Sequence, residues 1–125
     1  GDDVFSVNGW TPSGDIFPAL DGGTGTDGVK LFLSQGTTVD LLAGTFTTGA
    51  GTFAAIGFEN ADGSAYADII YGTEGANRLT GSNGEDKVYG RGGNDYLDGG
   101  PGANWADGGP GVDTCGGFSV TVNCE

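Results

Sequence analysis

Six acidic or amide side chains recur every nine residues in the second half of this 125-residue chain: Asp68, Asn77, Asp86, Asp95, Asn104 and Asp113. Their oxygens suit a hard cation, whereas a catalytic triad or a zinc site would need His, which the chain lacks. The formal charge of −13 also favours a cation as partner. Nucleic acid and anionic membrane surfaces are excluded, since both need a basic footprint.

A nine-residue repeat surrounds each of these side chains. Its frames run without a gap over 63–71, 72–80, 81–89, 90–98, 99–107 and 108–116. Position one is always Gly, and position four is Gly in every frame except the first, which has Tyr66. Position eight reads Ile70, Leu79, Val88, Leu97, Ala106 and Cys115. Glycine permits the positive φ angles of a tight turn, so each frame predicts a turn followed by a short strand with position eight pointing inward.

Stacking of these units brings the acidic side chains together. Two frames make one 18-residue coil, and successive coils stack as parallel strands about 4.8 Å apart. Asp68 then lies beside Asp86, and Asp95 beside Asp113, at roughly 5 Å, where two bare charges repel by about 3 kcal/mol at an effective dielectric near 20. A cation must therefore lie between them. Carboxylate and carbonyl oxygens in a flexible glycine turn favour Ca²⁺ over Mg²⁺.

The pattern G-G-x-G-x-D-x-U-x resembles the RTX, or haemolysin-type, calcium-binding nonapeptide. The resemblance implies an all-β fold, a right-handed parallel β-roll (β-solenoid) with stacked calcium-binding turns. The earlier stretch 22–30, GGTGTDGVK, matches the same pattern, and residues 1–5 resemble the end of another copy, which adds Asp27 and Asp3 as ligands. The segment 58–70 is similar to the entry of the roll in the C-terminal domains of serralysin-type proteases.

The family's coordination implies how several Ca²⁺ ions would be bound. One turn supplies the carbonyls of positions two and four with its Asp, and the turn one coil later supplies those of positions one and three with its own Asp. Two implied sites join Ser64, Tyr66 and Asp68 to Gly81, Asn83 and Asp86, and Arg91, Gly93 and Asp95 to Gly108, Pro110 and Asp113. Two others, expected to be weaker because Asn lacks the charge, join Thr73, Gly75 and Asn77 to Gly90, Gly92 and Asp95, and Ser82, Gly84 and Asp86 to Gly99, Pro101 and Asn104.

The chain divides into three predicted regions. Residues 1–62 form an N-terminal β-strand region, with apolar runs at 29–33, 38–46 and 52–58 that predict longer, irregular coils of the same roll; an independent subdomain is the alternative. Residues 63–116 are the six repeats. Residues 117–125 form a cap in which 118–122 is a covering strand. A disulfide between Cys115 and Cys124 would clasp this cap, and two free thiols are the alternative.

Positions seven and nine point outward on two faces of the roll. One face carries Tyr71, Tyr89 and Trp105 at 18-residue steps. Such a row is a candidate ligand face that stacks on sugar rings or docks another domain, and exposed strand aromatics selected for β propensity are the alternative.

These observations predict a non-catalytic calcium-binding module of a secreted bacterial protein. It would fold on Ca²⁺ binding after export and stabilise or present another domain of a longer parent chain. An adhesive or polysaccharide-binding module is the alternative function. Catalysis is not expected, because no G-x-S-x-G elbow is present and the G-x-G-x-x-G of 23–28 leads into a strand. No apolar run is long enough for a transmembrane segment.

Overall fold

The computed structural model describes residues 1–8, 19–49 and 51–124, and within these ranges the secondary structure is all β. The strands are β1 (Val4–Asn8), β2 (Leu20–Asp21), β3 (Gly28–Phe32), β4 (Thr38–Asp40), β5 (Thr45–Thr48), β6 (Gly51–Ile56), β7 (Asn60–Asp62), β8 (Ile69–Tyr71), β9 (Arg78–Thr80), β10 (Lys87–Tyr89), β11 (Tyr96–Asp98), β12 (Trp105–Asp107), β13 (Thr114–Gly116) and β14 (Val120–Val122). Those parts of the predicted terminal regions that fall at 9–18, 50 and 125 lie outside the described residues. No helix in the described ranges has the length and apolarity to cross a membrane.

Consecutive repeats alternate between two sheets. One sheet has the order β1-β3-β7-β9-β11-β13, and the other has the order β14-β12-β10-β8-β4-β5-β6-β2. Strands of the repeats pair in parallel at a spacing of 18 residues, for example Lys87 with Ile69 and with Trp105. The other sheet keeps the same spacing, since Tyr96 pairs with Arg78 and with Thr114. The parallel β-roll predicted from the sequence is therefore confirmed, and so is its coil of two frames.

The core lies between the two sheets and is built from position eight. Ile70, Leu79, Val88, Leu97 and Ala106 are completely buried, because side chains alternate along a strand and the middle residue of each three-residue strand points inward. Val29 and Ala61 continue this column in one sheet, and Val39 continues it in the other. Full burial of an Ile, Leu or Val side chain contributes about 1.5–3 kcal/mol, so the column is the main apolar contribution of the repeats.

The strands of the N-terminal region join the same two sheets. β7 pairs in parallel with β9, and β4 pairs in parallel with β8. The run 38–46, however, is divided into β4 and β5, and β4, β5 and β6 pair as antiparallel hairpins, which differs from the expected coils. A turn causes the division, because Asp40 Oδ1 accepts the Ala43 N–H at 3.0 Å and Gly44 has a φ of +68°. The regional boundaries at 62 and 116 stay a prediction.

The C-terminal segment closes back onto the last coils. Cys115 and Cys124 form a disulfide with a Cα–Cα separation of 5.9 Å, which confirms the predicted bond and shows that the alternative of two free thiols is wrong. The segment 118–122 supplies β14, which pairs in parallel with β12 and adds one strand to that sheet. The edge of β12 is thereby hydrogen-bonded.

Candidate metal centre

The position-six side chains form a buried ladder along each edge of the roll. Asp86 Oδ1 accepts the backbone N–H of Asp68, and Asp113 Oδ1 accepts that of Asp95, both at 2.8 Å and across 18 residues. Asp68, Asp86, Asp95 and Asp113 are at most 3% exposed. The predicted neighbours therefore do lie next to one another, with one oxygen of each carboxylate used to bond the coil before.

The second oxygen of the same carboxylates has a different environment. Asp86 Oδ2, Asp95 Oδ2 and Asp113 Oδ2 are buried and have no hydrogen-bond partner among the described residues. A methyl group built on Gly81 would lie 2.5 Å from Asp86 Oδ2 and 2.8 Å from the carbonyl oxygen of Gly99. The carboxylate of one turn and the position-one carbonyl of the turn one coil later thus point into the same small space, which only a glycine at position one leaves open.

Peptide groups whose carbonyls belong to positions two and four also lie against the turn one coil later. A methyl group built on Gly93 would lie 2.8 Å from Gly75 O, and one built on Gly84 would lie 2.6 Å from Tyr66 O. Ser82 O and Arg91 O lie in the same way against Gly100 and Gly109. At position three, Pro101 O accepts the Gly84 N–H at 3.2 Å. The structure brings these predicted oxygens to the gap between turns, and their roles as ligands stay predictions.

These donors fit a calcium ion. A buried carboxylate oxygen without a partner is costly, and carboxylate plus carbonyl oxygens are the set that Ca²⁺ prefers. No cluster of three or more His, Cys, Asp or Glu side chains occurs in the part of the chain that the structure describes. This agrees with turns that would contribute one carboxylate each and take their remaining ligands from the backbone.

Burial perturbs the ladder carboxyls. It raises the pKa of Asp86 to about 6, and the negative charge of Asp68 acts in the same direction, while the hydrogen bond from the Asp68 N–H opposes both. Burial likewise raises the pKa of Asp95 to about 6, with the charge of Asp113 adding to the effect. The pKa of Asp68 is also raised by burial, against the hydrogen bonds from Thr37 and Ser64. The ion-free turns therefore hold protons more tightly than exposed carboxyls do.

In the two turns with Asn at position six, the side-chain amide donates hydrogen bonds to oxygens around the gap. Asn104 Oδ1 accepts the Asp86 N–H at 2.8 Å, as an aspartate would, while its Nδ2 donates to Gly100 O at 2.8 Å and to Gly117 O at 3.1 Å. Asn77 Nδ2 donates to Glu59 O and to Thr73 Oγ1. At these positions a hydrogen-bond donor replaces part of what a cation would do.

The first repeat departs from the others, as its Tyr66 indicates. Asp68 Oδ2 accepts hydrogen bonds from the Ser64 N–H at 2.6 Å and from Ser64 Oγ at 3.0 Å, so this carboxylate is already satisfied by its own turn. Tyr66 is about half exposed, and its N–H donates to Ser64 Oγ at 3.2 Å. The Ser64 hydroxyl therefore occupies one side of this turn.

The ladder continues into the N-terminal region through the predicted Asp27 and through Glu59 and Thr37, which the repeat pattern did not reveal. Asp27 is fully buried, its Oδ1 accepts the Asp3 N–H at 2.7 Å, and its own N–H donates to Glu59 Oε2 at 2.8 Å. Asp3 itself is exposed. On the other edge the Thr37 N–H donates to Asp68 Oδ1 at 2.7 Å. Glu59 lies 18 residues before Asn77. Counting back one coil length from Asn77 would therefore have predicted Glu59 as a residue of the ladder.

The aromatic residues form a stacked row on one face. The Tyr71 and Tyr89 rings lie 4.7 Å apart and nearly parallel, and the Tyr89 and Trp105 rings lie 5.0 Å apart. The Arg91 guanidinium lies 5.2 Å from the Tyr71 ring centre. The faces of Tyr71 and Tyr89 are therefore directed toward each other, while the Trp105 ring is tilted by 54° against Tyr89.

Comparison with known families agrees with this geometry. Residues 62–97 and 89–117 match the model of the RTX calcium-binding nonapeptide repeat, which represents four copies. This part of the chain therefore carries RTX nonapeptide repeats, which imply a calcium-binding β-roll. A search of curated proteins found none that matches the chain.

Proposed function

We propose that this chain is a non-catalytic module of a secreted bacterial protein, which folds on Ca²⁺ binding after export and stabilises or presents a neighbouring domain. The observation that carries the proposal is the set of buried carboxylate oxygens, on Asp86, Asp95 and Asp113, with no hydrogen-bond partner among the described residues. Each turn also directs backbone carbonyls into the same gaps.

Calcium would supply the positive charge that these gaps need. Uncompensated buried charge costs several kcal/mol per ion, and that cost falls on the folded state alone. A cation that binds only the folded state offsets it by mass action. The residues thus couple folding to calcium, since the ladder comes together only when the coils stack.

Two features support an extracellular setting. The Cys115–Cys124 disulfide forms and persists in oxidising compartments. Calcium sites of extracellular modules have dissociation constants of about 10⁻⁴–10⁻³ M and bind more weakly than cytosolic sensors. A calcium-coupled fold can therefore remain unfolded before export and fold after it.

The aromatic row supports a structural role more than a sugar site. Carbohydrate stacking uses the faces of aromatic rings, whereas here Tyr71 and Tyr89 stack face to face with an interplanar angle of 17°. The polysaccharide-binding alternative is tested by glycan-array binding in saturating Ca²⁺. Binding that is lost in Tyr89→Ala, with the β-roll intact, would favour that alternative.

Far-ultraviolet circular dichroism with calcium titration tests the main proposal. In excess chelator we expect most of the β signal to be lost, and added Ca²⁺ should restore it cooperatively, while Mg²⁺ at the same concentration should not. Counting bound ions by native mass spectrometry gives an independent readout. A native spectrum in chelator that calcium leaves unchanged, with no ion retained, would contradict the proposal.

A further inference from the structure

The last repeat places a charged group against the C-terminal segment. Asp113 is fully buried, and its Oδ1 accepts the Asp95 N–H at 2.8 Å. Its Oδ2 has no hydrogen-bond partner within the described ranges. Residues 117–124, which pack on the last repeats, do not follow the nonapeptide pattern. The repeat pattern therefore assigns nothing to the side of Asp113 that faces away from Asp95.

The structure places a backbone carbonyl there. A methyl group built on Gly108 would collide with both Asp113 Oδ2 and the carbonyl oxygen of Asn123. One coil earlier, a methyl group on Gly90 would meet Asp95 Oδ2 and Gly108 O in the same way. Asn123 O thus occupies the place that a position-one carbonyl occupies between two repeats, although 117–124 contains no repeat.

Several contacts hold Asn123 in this place. The Gly108 N–H donates to Val122 O at 3.0 Å, and Asn123 Nδ2 donates to Asp107 Oδ1 at 2.8 Å. Asn123 has a φ of +49°, a left-handed conformation that Asn tolerates well. The next residue, Cys124, is covalently bonded to Cys115, which lies two residues after Asp113. The disulfide therefore ties the carbonyl and the carboxylate to the same end of the roll.

We propose that Asp113 Oδ2 and Asn123 O form an additional calcium site, closed by the C-terminal segment and dependent on the Cys115–Cys124 disulfide. The inference rests on the calcium-binding function proposed above and extends it to the contact between the last repeat and segment 117–124. A hard divalent cation is the ligand class, because both donors are hard oxygens and one carries a charge. Water completes the shell, so this ion binds more weakly than one held between two full turns.

Two variants test this site. Cys115→Ser with Cys124→Ser changes none of the donor residues, including those of the sites between repeats, and removes the covalent restraint on the segment that contains Asn123. We expect the dissociation constant of the last ion to rise about tenfold or more, since a disulfide of this kind restrains the segment by more than one factor of ten in an equilibrium constant. Asp113→Asn should fold without an ion at this additional site. Asn104 shows why, because its position-six amide donates a hydrogen bond to the carbonyl opposite, Gly117 O.

The experiment combines ion counting by native mass spectrometry with hydrogen exchange of residues 117–124 over a calcium titration, read only at calcium concentrations at which residues 63–116 are already protected. Within that range, exchange in the wild-type segment should slow further as calcium rises. In the double Ser variant one ion fewer should be retained at limiting calcium, with the repeats still protected, and in Asp113→Asn exchange of the segment should not change within that range. Gly116→Ala, which adds a methyl group where no atom lies within 4 Å, is the control and should behave like the wild type. If the wild type retains no ion at all, the proposed function itself fails. If it binds calcium but exchange of segment 117–124 does not change over the range in which the repeats are already folded, or the double Ser variant keeps every ion at wild-type affinity, the additional site is refuted.

Discussion

The side chain at position six determines whether a turn needs a cation. Asp86 and Asn104 lie one coil apart and bond the coil before in the same way, through Oδ1. They differ in the second atom, since Asp86 Oδ2 has no partner in the described structure while Asn104 Nδ2 donates to two carbonyls. A single exchange of oxygen for NH₂ therefore changes an ion-requiring turn into one satisfied by hydrogen bonds.

Asn104→Asp should make this turn require a cation. Its new oxygen would face Gly100 O and Gly117 O without a proton to share, so we expect the calcium-free fold to lose about 1–3 kcal/mol, the cost of an unsatisfied buried polar group. In calcium the variant should bind one additional ion. Native mass spectrometry and calcium-dependent unfolding measure both effects. The control is Asn94→Asp, which adds the same charge at an exposed position. If both variants bind the same number of additional ions, the added net charge and not the turn is responsible.

Acid should partly replace calcium. Asp86 and Asp95 have a pKa of about 6 in the ion-free fold, and unfolded Asp titrates near 4. A raised folded pKa stabilises the fold below the unfolded pKa, and this contribution is lost as pH rises through about 6. In chelator, the β signal should therefore increase as pH falls from 7 toward 4.5. In calcium, protons compete for the same oxygens, so the number of ions bound per chain at a fixed, limiting calcium concentration should fall below pH 6. A β signal in chelator that does not increase from pH 7 to 4.5 would contradict the first expectation, and an ion count that does not change from pH 7 to 5 would contradict the second.

The repeating element is a turn joined to a three-residue strand, and the sequence predicted it well. Glycine columns, the inward column of position eight and the 18-residue neighbours all follow from nine-residue periodicity, because each coil contacts only the coil before and after it. The hairpins β4–β5–β6 were missed, since a hairpin turn at Asp40–Gly44 and a coil corner have the same glycine-rich composition. The ladder residue Glu59 was missed because its turn and the following strand, 57–62, together are shorter than the nine-residue repeat. Gly57 and Gly117 both start such short turns, and each has a φ of +72°.

Closing one turn with a methyl group tests the element directly. Gly90→Ala would place a Cβ against Asp95 Oδ2 and 2.5 Å from Gly108 O, where it competes with an ion. We expect a loss of stability of about 1–3 kcal/mol from overpacking, and one calcium ion fewer. Gly75→Ala is a matched control in the turn one coil earlier, since its methyl group would come no closer than 3.8 Å to another side chain. Thermal unfolding in saturating calcium compares the two variants, and equal melting temperatures would count against the ion position.

At the scale of the whole molecule, one arginine joins the repeats to the N-terminal hairpins. Arg91 bonds both carboxylate oxygens of Asp40, at 2.6 and 2.9 Å, and donates to Gly72 O at 2.8 Å. The hydrogen bond from Arg91 lowers the pKa of Asp40. Arg91 has a φ of +72°, at the repeat position where Gly100 and Gly109 supply the same left-handed conformation. The strained conformation of Arg91 is thus retained at a site where a long cationic side chain spans two regions of the chain.

Arg91→Lys should loosen this connection. Lysine cannot form the bidentate pair, so we expect a stability loss of about 1 kcal/mol and faster hydrogen exchange in 38–48, with little change in 99–116. Lys30→Ala is the comparison, because the Lys30–Asp62 pair is more exposed and should contribute less. Uniform acceleration of exchange along the chain would show that Arg91 stabilises the roll generally and does not act as a local link.

The alternation of consecutive repeats between two sheets restricts how such a chain can change in length. Loss of a single nonapeptide, such as 72–80, would transfer every later strand to the opposite sheet. The strand of Tyr96 would then pair with the strand of Tyr71. The aromatic row would end, the partners of Arg91 would be on the wrong side, and Cys115 would meet a different neighbour. Gain or loss of two nonapeptides together leaves each face with its own residues. Duplications and deletions that preserve this protein's surfaces therefore come in steps of 18 residues, the coil spacing of its paired strands.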